Sequence, residues 1–213
     1  MANRSKAAAY HGVENVKFAL KTSSGYAAED AMLKVLYAKS LNPSTLLEAA
    51  EQYADDRLLF RVPNDKGYEV EFGTTAPDPE LDKAAGFAME GASGLLSVEQ
   101  VQYARGAMYY EFKERDENGA VSMVKCWMYN VELGKGSGTH STDESSVAFG
   151  SYTYPARVYG DPLMGPDGTK EYVDDHGMGR KVFMYTARPG DDGYATFGDT
   201  VPVPKMAAPA SGG

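Results

Sequence analysis

The stretch Gly106–Leu133, GAMYYEFKERDENGAVSMVKCWMYNVEL, decides the fold. Two runs rich in aromatic and apolar residues flank Asn118-Gly119, the dipeptide best suited to a two-residue type I′ turn, because both central positions of that turn take positive φ. Such a turn predicts that Glu117 faces Ala120, and every other pair follows. Met108 then faces Tyr129, Tyr110 faces Trp127 and Phe112 faces Lys125, while the reverse side pairs Glu111 with Cys126, Lys113 with Val124 and Arg115 with Ser122. The expectation is a β-hairpin with one largely apolar face carrying Met108, Tyr110, Phe112, Trp127 and Tyr129. Strand side chains alternate with a period of two, so a slip of one residue would turn the aromatic set of one strand away from that of the other.

Further strands are expected on both sides of this hairpin. NVKFALK (Asn15–Lys21) and AMLKVLYAK (Ala31–Lys39) read as one pair, and RLLFRV (Arg57–Val62) and KGYEVEF (Lys66–Phe72) as the next. In KGYEVEF, Tyr68, Val70 and Phe72 alternate with Glu69 and Glu71, so one side meets a core and the other presents two carboxylates. VAFGSYTYPARVYG and GRKVFMYTAR are also strand-like; Pro155 in the first predicts an edge strand or a bulge, since proline donates nothing to a ladder. One segment departs from the β pattern. In APDPELDKAAG, Asp78 is an N-cap, Pro79 holds the first helical position, Leu81, Ala84 and Ala85 follow at helical spacing, and Gly86 stops the helix. STLLEAAEQYA (Ser44–Ala54) has helical propensity but lies between strands, so it reads either as helix or as part of a long connection from Leu41 to Asp56. The expected fold class is mainly β, a β-sandwich or barrel-like domain with one short flanking α-helix and long loops. It spans residues 13–200, between mobile segments at 1–12 and 201–213.

Composition bounds the function. A chain of 213 residues supports one well-buried core. Its 21 Lys and Arg against 30 Asp and Glu give a net charge of −9, and no basic tract offers a grip on nucleic acid. The single cysteine, Cys126, cannot form an intramolecular disulfide, and no apolar leader opens the chain, which fits assembly in a reducing cytoplasm. No apolar run approaches the roughly 20 residues of a membrane-spanning helix, so no membrane insertion is expected.

The motifs that suggest chemistry fail on spacing. GKGSGTHSTDES (Gly134–Ser145) has the composition of a phosphate-binding loop, but the P-loop glycine five residues before Gly134 is replaced by Tyr129, Lys135 is followed by Gly136 rather than Ser or Thr, and no helix follows. It reads as an interstrand loop. His11, His140 and His176 lack paired metal-ligand spacing, and Asp174-Asp175-His176 with Asp167 lacks the spacing of a calcium loop. No G-x-S-x-G elbow is present, and Cys126 beside Trp127 reads as a small buried hydrophobe. The expectation is a protein without catalytic residues, cofactor or metal.

The order of segments resembles the major tail proteins, or tail tube proteins, of long-tailed bacteriophages with non-contractile tails. The resemblance rests on HGVENVKFAL opening the domain, YADDRLLFRV leading into KGYEVEF, the short helix in PDPELDKAAG, and YYEFKERDENG followed by CWMYNVELGKGSG. It covers roughly Val13 to Arg188. The stretch NPSTLLEAAEQ is longer than the family's usual connection, and the loop after Leu133 is richer in glycine. The resemblance implies a β-sandwich whose copies close into hexameric rings, with the rings stacked into a tube in the virion. Its expected partners are further copies of itself and the tail tip, tape measure and terminator proteins of the same virion. DNA would pass through without tight binding, and assembly would take place in the host cytoplasm. On that reading Leu41, Asn42, Pro43, Leu46, Leu47, Tyr53, Asp55 and Asp56 form an inter-subunit or inter-ring loop, and Glu69, Glu71 and Glu111 an acidic lumen face. A tail terminator, a decoration protein, a β-sandwich binding module using the Asp167–His176 loop and a hydrolase with a dispersed site are the alternatives.

Overall fold

The computed structural model describes residues 7–54, 57–139 and 150–207. Strands β1 (Ala7–Thr22), β2 (Gly25–Tyr26) and β3 (Leu33–Lys34) precede a long pair, β4 (Ala38–Ala54) and β5 (Arg57–Thr74). Helix α1 (Pro79–Ala84) and a small hairpin of β6 (Ala88–Gly91) and β7 (Gly94–Ser97) come next. The central hairpin of β8 (Ala104–Asp116) and β9 (Val121–Leu133) is followed by β10 (Ser137–Thr139), β11 (Ser151–Val158), β12 (Asp161–Pro162), β13 (Lys181–Val182) and β14 (Met184–Ala187). Ten of these strands form one antiparallel sheet in the order β2-β1-β8-β9-β11-β5-β4, with β3 added to β1, β10 to β11 and β14 to β9. The protein is thus mainly β with a single short helix among the described residues, as expected.

From its turn to Met108 the central hairpin is one residue out of the expected register; beyond a register shift, Gly106 faces Val131, Arg105 faces Glu132 and Ala104 faces Leu133, as expected. Asp116, not Glu117, is the last residue to pair: its N–H donates to Ala120 O (2.9 Å), and its Oδ1 accepts from the N–H groups of Asn118 and Ala120 at 2.9 and 2.8 Å. Gly119 takes φ +84° whereas Asn118 does not take positive φ, so the loop has three residues, ending in a glycine bulge instead of a type I′ turn. A side-chain acceptor two residues before the Asn-Gly pair is the cause. Met108 therefore faces Met128, Tyr109 faces Trp127, Tyr110 faces Cys126 and Phe112 faces Val124. The single aromatic face expected from the sequence is split. Met108 and Tyr110 enter one core, with Phe112 packed against it, while Trp127 and Tyr129 enter another on the opposite face of the sheet.

These two cores organise the molecule. The inner one gathers Phe18, Phe72, Met108, Met128, Leu133 and Tyr154 inside the curl of the sheet, which brings β1, whose outer side β2 and β3 cover only near its end, into contact with the margin β4 without ladder pairing between them among the described residues. Helix α1 adds Leu81 to that core, with Ala85 and Phe87 following it. Asp78 caps the helix as expected, its Oδ1 accepting from Glu80 N and Leu81 N at 3.1 Å each, with Pro79 at the first position and Gly86 (φ +74°) beyond the end. Its other oxygen accepts from Leu36 N–H (3.0 Å), and Tyr154 ties the helix down by donating to Asp82 Oδ1 (2.9 Å) while accepting from Asp78 N–H (3.0 Å).

The outer core is covered by the chain after β14. Trp127 Nε1 donates to Phe197 O (2.7 Å), Lys125 Nζ to Tyr194 O (2.9 Å), Lys17 Nζ to Gly198 O (2.8 Å) and Tyr129 Oη to Pro202 O (2.8 Å). The strap continues into the segment expected to be mobile: Met164 N–H donates to Pro204 O and Met206 N–H to Met164 O. Residues 208–213 lie outside the described residues. At the other end, β1 begins at Ala7, inside the expected mobile segment, and pairs with β8 from there; residues 1–6 also lie outside.

Further expectations are corrected. Arg57–Val62 and Lys66–Phe72 are not two strands of a pair but parts of the single strand β5, which pairs with β4. Ala31–Lys39 is not one strand: a 3₁₀ turn at Glu29–Ala31 and the two residues of β3 are separated from β4 by Tyr37 at φ +59°. Ser44–Ala54 is neither helix nor loop but part of β4, where pairing with β5 overrides the helical propensity of its Leu, Glu and Ala. Of the two readings of Pro155, the edge is wrong and the bulge fits, since the register of β11 shifts by one residue between Thr153 opposite Ser137 and Ala156 opposite Leu133. Pro155 lies inside the sheet where the neighbour of β11 changes from β9 to β10, so the missing N–H falls at a break between ladders.

Deleting Glu117 converts the loop to a two-residue Asn-Gly turn without altering any pair, and is expected to change stability by less than about 1 kcal/mol. Thermal melts check this; loss of folding would contradict the register. Burial raises the carboxyl of Asp82, with Asp78 adding to the rise and the Tyr154 hydroxyl opposing it. A raised native pKa means stability is lost as pH climbs from about 4 through that value. Asp82→Asn keeps an acceptor for Tyr154 and is expected to raise stability at pH 7 by under about 1 kcal/mol, with the gain vanishing in acid; chemical denaturation at both pH values measures it.

Candidate inter-subunit surfaces

β4 forms one margin of the sheet, with no strand beyond it among the described residues. Where it approaches β1, Tyr10, Val13, Leu41, Pro43, Tyr110 and Phe112 line an apolar cleft of about 410 Å³. The rest of β4 forms a ribbon. β11 pairs only with Tyr68–Thr74 of β5, so from Leu47 opposite Asp65 to Ala54 opposite Arg57 two strands run without a third among the described residues. This ribbon exposes Leu47 (64%), Tyr53 (61%) and Val62 (53%), alongside ion pairs of Lys66 with Glu48 (2.6 Å) and Arg61 with Glu51 (3.2 Å). Of the residues expected in an inter-subunit loop, Leu41, Asn42, Pro43, Leu46, Leu47 and Tyr53 therefore stand on a strand. Asp55 and Asp56 lie outside the described residues.

The three expected lumen carboxylates do not share a patch. Glu69 and Glu71 are exposed on β5, opposite Arg157 and Pro155 of β11, and have no hydrogen-bond or ion-pair partner for their carboxylates among the described residues. Arg157 in turn faces Glu132, which is ion-paired with Arg105. Glu69 thus ends a row of alternating charge across four strands, above a concavity of about 730 Å³ that also includes Tyr103 and Tyr159. The Arg157 guanidinium carbon stands 5.0 Å from the Tyr159 ring centre, and its Nε is buried without an acceptor. Glu111 stands on β8, six residues along from Arg105 at the far end of this row, with β9 and β11 between its strand and that of Glu69 and Glu71. It is held, accepting from Tyr109 Oη (2.6 Å) and Asn15 Nδ2 (2.7 Å).

The glycine-rich stretch is not all loop, since Ser137–Thr139 form β10 against β11, and its described part has a packing role. Lys135 turns its ammonium to Val98 O (2.7 Å), and a Cβ on Gly136 would lie 2.2 Å from the Tyr152 ring. These glycines admit tyrosines; His140 and residues 141–149 lie outside the described residues. Asp167 and Asp174 organise turns. Thr169 holds the first below the usual carboxylate range through its hydroxyl and N–H, and the N–H of Met178, with that of His176 and Arg180, does the same for the second. No group of three His, Cys, Asp or Glu residues is placed to hold a metal among the described residues. Burial pushes the Cys126 thiol up to about 12, which suits a packing role. No helix among the described residues is long and apolar enough to cross a membrane.

No protein-family model matches the chain, and no curated protein is significantly similar to it. Two surfaces escaped the sequence reading. The strap over Trp127 carries no periodic signal. The β6–β7 hairpin does carry one, since glycines at 91 and 94 bracket its turn between Met89-Glu90 and Leu95-Leu96.

Glu69→Gln and Glu71→Gln are expected to leave stability within about 0.5 kcal/mol of the parent, whereas Glu111→Ala strips acceptors from Tyr109 and Asn15 and costs about 1–3 kcal/mol. Urea denaturation of the three variants separates these outcomes, and equal effects would contradict the distinction.

Proposed function

We propose that this chain is a structural subunit that assembles with copies of itself into stacked rings, as the tail tube proteins of long-tailed, non-contractile bacteriophages do, forming a conduit for DNA. The observation that carries this reading is the β4–β5 ribbon. A two-stranded ribbon is at best marginally stable in water, and this one leaves Leu47, Tyr53 and Val62 uncovered. A neighbouring copy that covered the ribbon would bury those side chains. The free margin of β4 supports the same reading, because an unpaired edge attracts another strand and ring closure removes it. So does charge: at −9 per chain, a bore built from such subunits repels phosphate over a screening length of about 8 Å and offers few cations to hold a passing duplex. On this reading Glu69 and Glu71 are the carboxylates available to face the bore, while Glu111 serves the subunit's own packing.

Replacing residues 48–64 by an Asn-Gly turn keeps Leu47 opposite Asp65 and leaves both cores intact. The expected result is a folded monomer that forms no tubes, whereas the parent chain forms rings or tubes at high concentration. Negative-stain microscopy and sedimentation velocity check this; tubes from the shortened chain would contradict the role of the ribbon, and a parent that stays monomeric would contradict the proposed function.

A further inference from the structure

The β6–β7 hairpin stands apart from the main sheet as a two-stranded unit of its own, with Met89 opposite Leu96 and Glu90 opposite Leu95. It is anchored at its base, where Phe87 is buried and accepts from Val98 N–H (3.0 Å), but Met89 (60%) and Leu96 (56%) are exposed, as is Leu95. Its turn, Gly91-Ala92-Ser93-Gly94, bears no side chain larger than serine. The outcome is a slender tongue with an apolar surface that nothing in its own chain covers among the described residues.

The molecule also carries an apolar hollow of matching character. The cleft between β1 and β4 is lined by Tyr10, Val13, Leu41, Pro43, Tyr110 and Phe112, and its volume of about 410 Å³ lies within the range of about 300–1,000 Å³ usual for pockets that enclose small apolar groups. Lys39 on the cleft and Glu99 just after the tongue are both exposed, and neither side chain has an ion-pair partner among the described residues. The two surfaces lie toward opposite ends of one strand. Leu20, at the depression beside the tongue's root, pairs with Gly106, whereas Tyr10, in the cleft, pairs with Glu114. β8 crosses that interval in eight residues, because β1 bulges between His11 and Lys17, so the two points lie on the order of 26 Å apart, about twice the roughly 13 Å that a four-residue strand covers. A tongue rooted there does not reach its own cleft.

We infer that the β6–β7 tongue of one copy seats in the β1–β4 cleft of the next, with Met89 and Leu96 against Tyr10 and Phe112 and with Glu99 beside Lys39. The contact joins different surfaces on the two partners, so it repeats head to tail, around a closed ring or along an open stack. It rests on the self-assembly reading and names one of its contacts.

The test uses disulfide trapping in the full chain, since the native Cys126 is buried and its raised thiol does not compete. Tyr10→Cys with Leu96→Cys in one chain is expected to give a ladder of covalent oligomers extending beyond dimers on oxidation, which neither single variant produces. Lys39→Glu is expected to weaken association several-fold by sedimentation, and Glu99→Lys to restore it in the double variant. Assembly seen by microscopy without the ladder, or indifferent to Lys39→Glu, overturns the tongue-in-cleft contact while self-assembly stands. A chain that remains monomeric at every concentration overturns both.

Discussion

The structure depends on a hairpin that is apolar on both faces. β8 and β9 send Met108, Tyr110, Cys126 and Met128 to one side and Ala107, Tyr109, Trp127 and Tyr129 to the other, all of them buried. Fully burying one large apolar side chain is worth about 1.5–3 kcal/mol, so neither face can be left in water. Each face recruits a different cover. The inner side is enclosed by the curl of the sheet and by α1, and the outer side by the strap around Phe197, fixed through the Trp127 N–H. Burying an indole without a partner for that N–H would be costly, and so the strap contributes both area and a specific acceptor.

Curling the sheet around the inner core has a consequence at its margins. β1 and β4 come together, but their nearest residues border a cleft and form no ladder among the described residues. The pair β4–β5 then outruns its neighbours and leaves a ribbon supported on neither side. Proteins that stay monomeric blunt such margins with short strands, bulges or coverings. Here the margin carries Pro43 and three register shifts, yet it is long, and the ribbon's exposed side chains include Leu47, Tyr53 and Val62. The demands of the core and the availability of the edge are therefore linked: the same curl that buries Phe18 and Phe72 leaves the outer edge of β4 without a partner strand among the described residues.

The sequence disclosed what is local and concealed what is distant. Helix α1 was legible to the residue, because Asp78, Pro79 and Gly86 act within their own turn. The strands of the central hairpin were legible from alternation, but their register was not, since the Asp116 carboxylate captures the turn amides and moves the pairing by one residue. That single step separates Trp127 and Tyr129 from Met108 and Tyr110. Ser44–Ala54 was hidden because its local preference is helical and only the partner strand β5 makes it extended. Among the candidate residues, the exposure of Glu69 and Glu71 followed from alternation along β5. The engagement of Glu111 did not, because one of its partners, Asn15, arrives from β1 far away in sequence.

The central claim is that the outer edge of β4 is completed by another copy of the chain. Hydrogen–deuterium exchange, compared between dilute and concentrated protein and resolved by peptide, tests it directly. The account predicts that amides of Ala38–Thr45 and of the β4–β5 ribbon gain protection on concentration, while those of β8 and β9, already inside the sheet, do not change. Exchange in β4 that is fast and independent of concentration would contradict it.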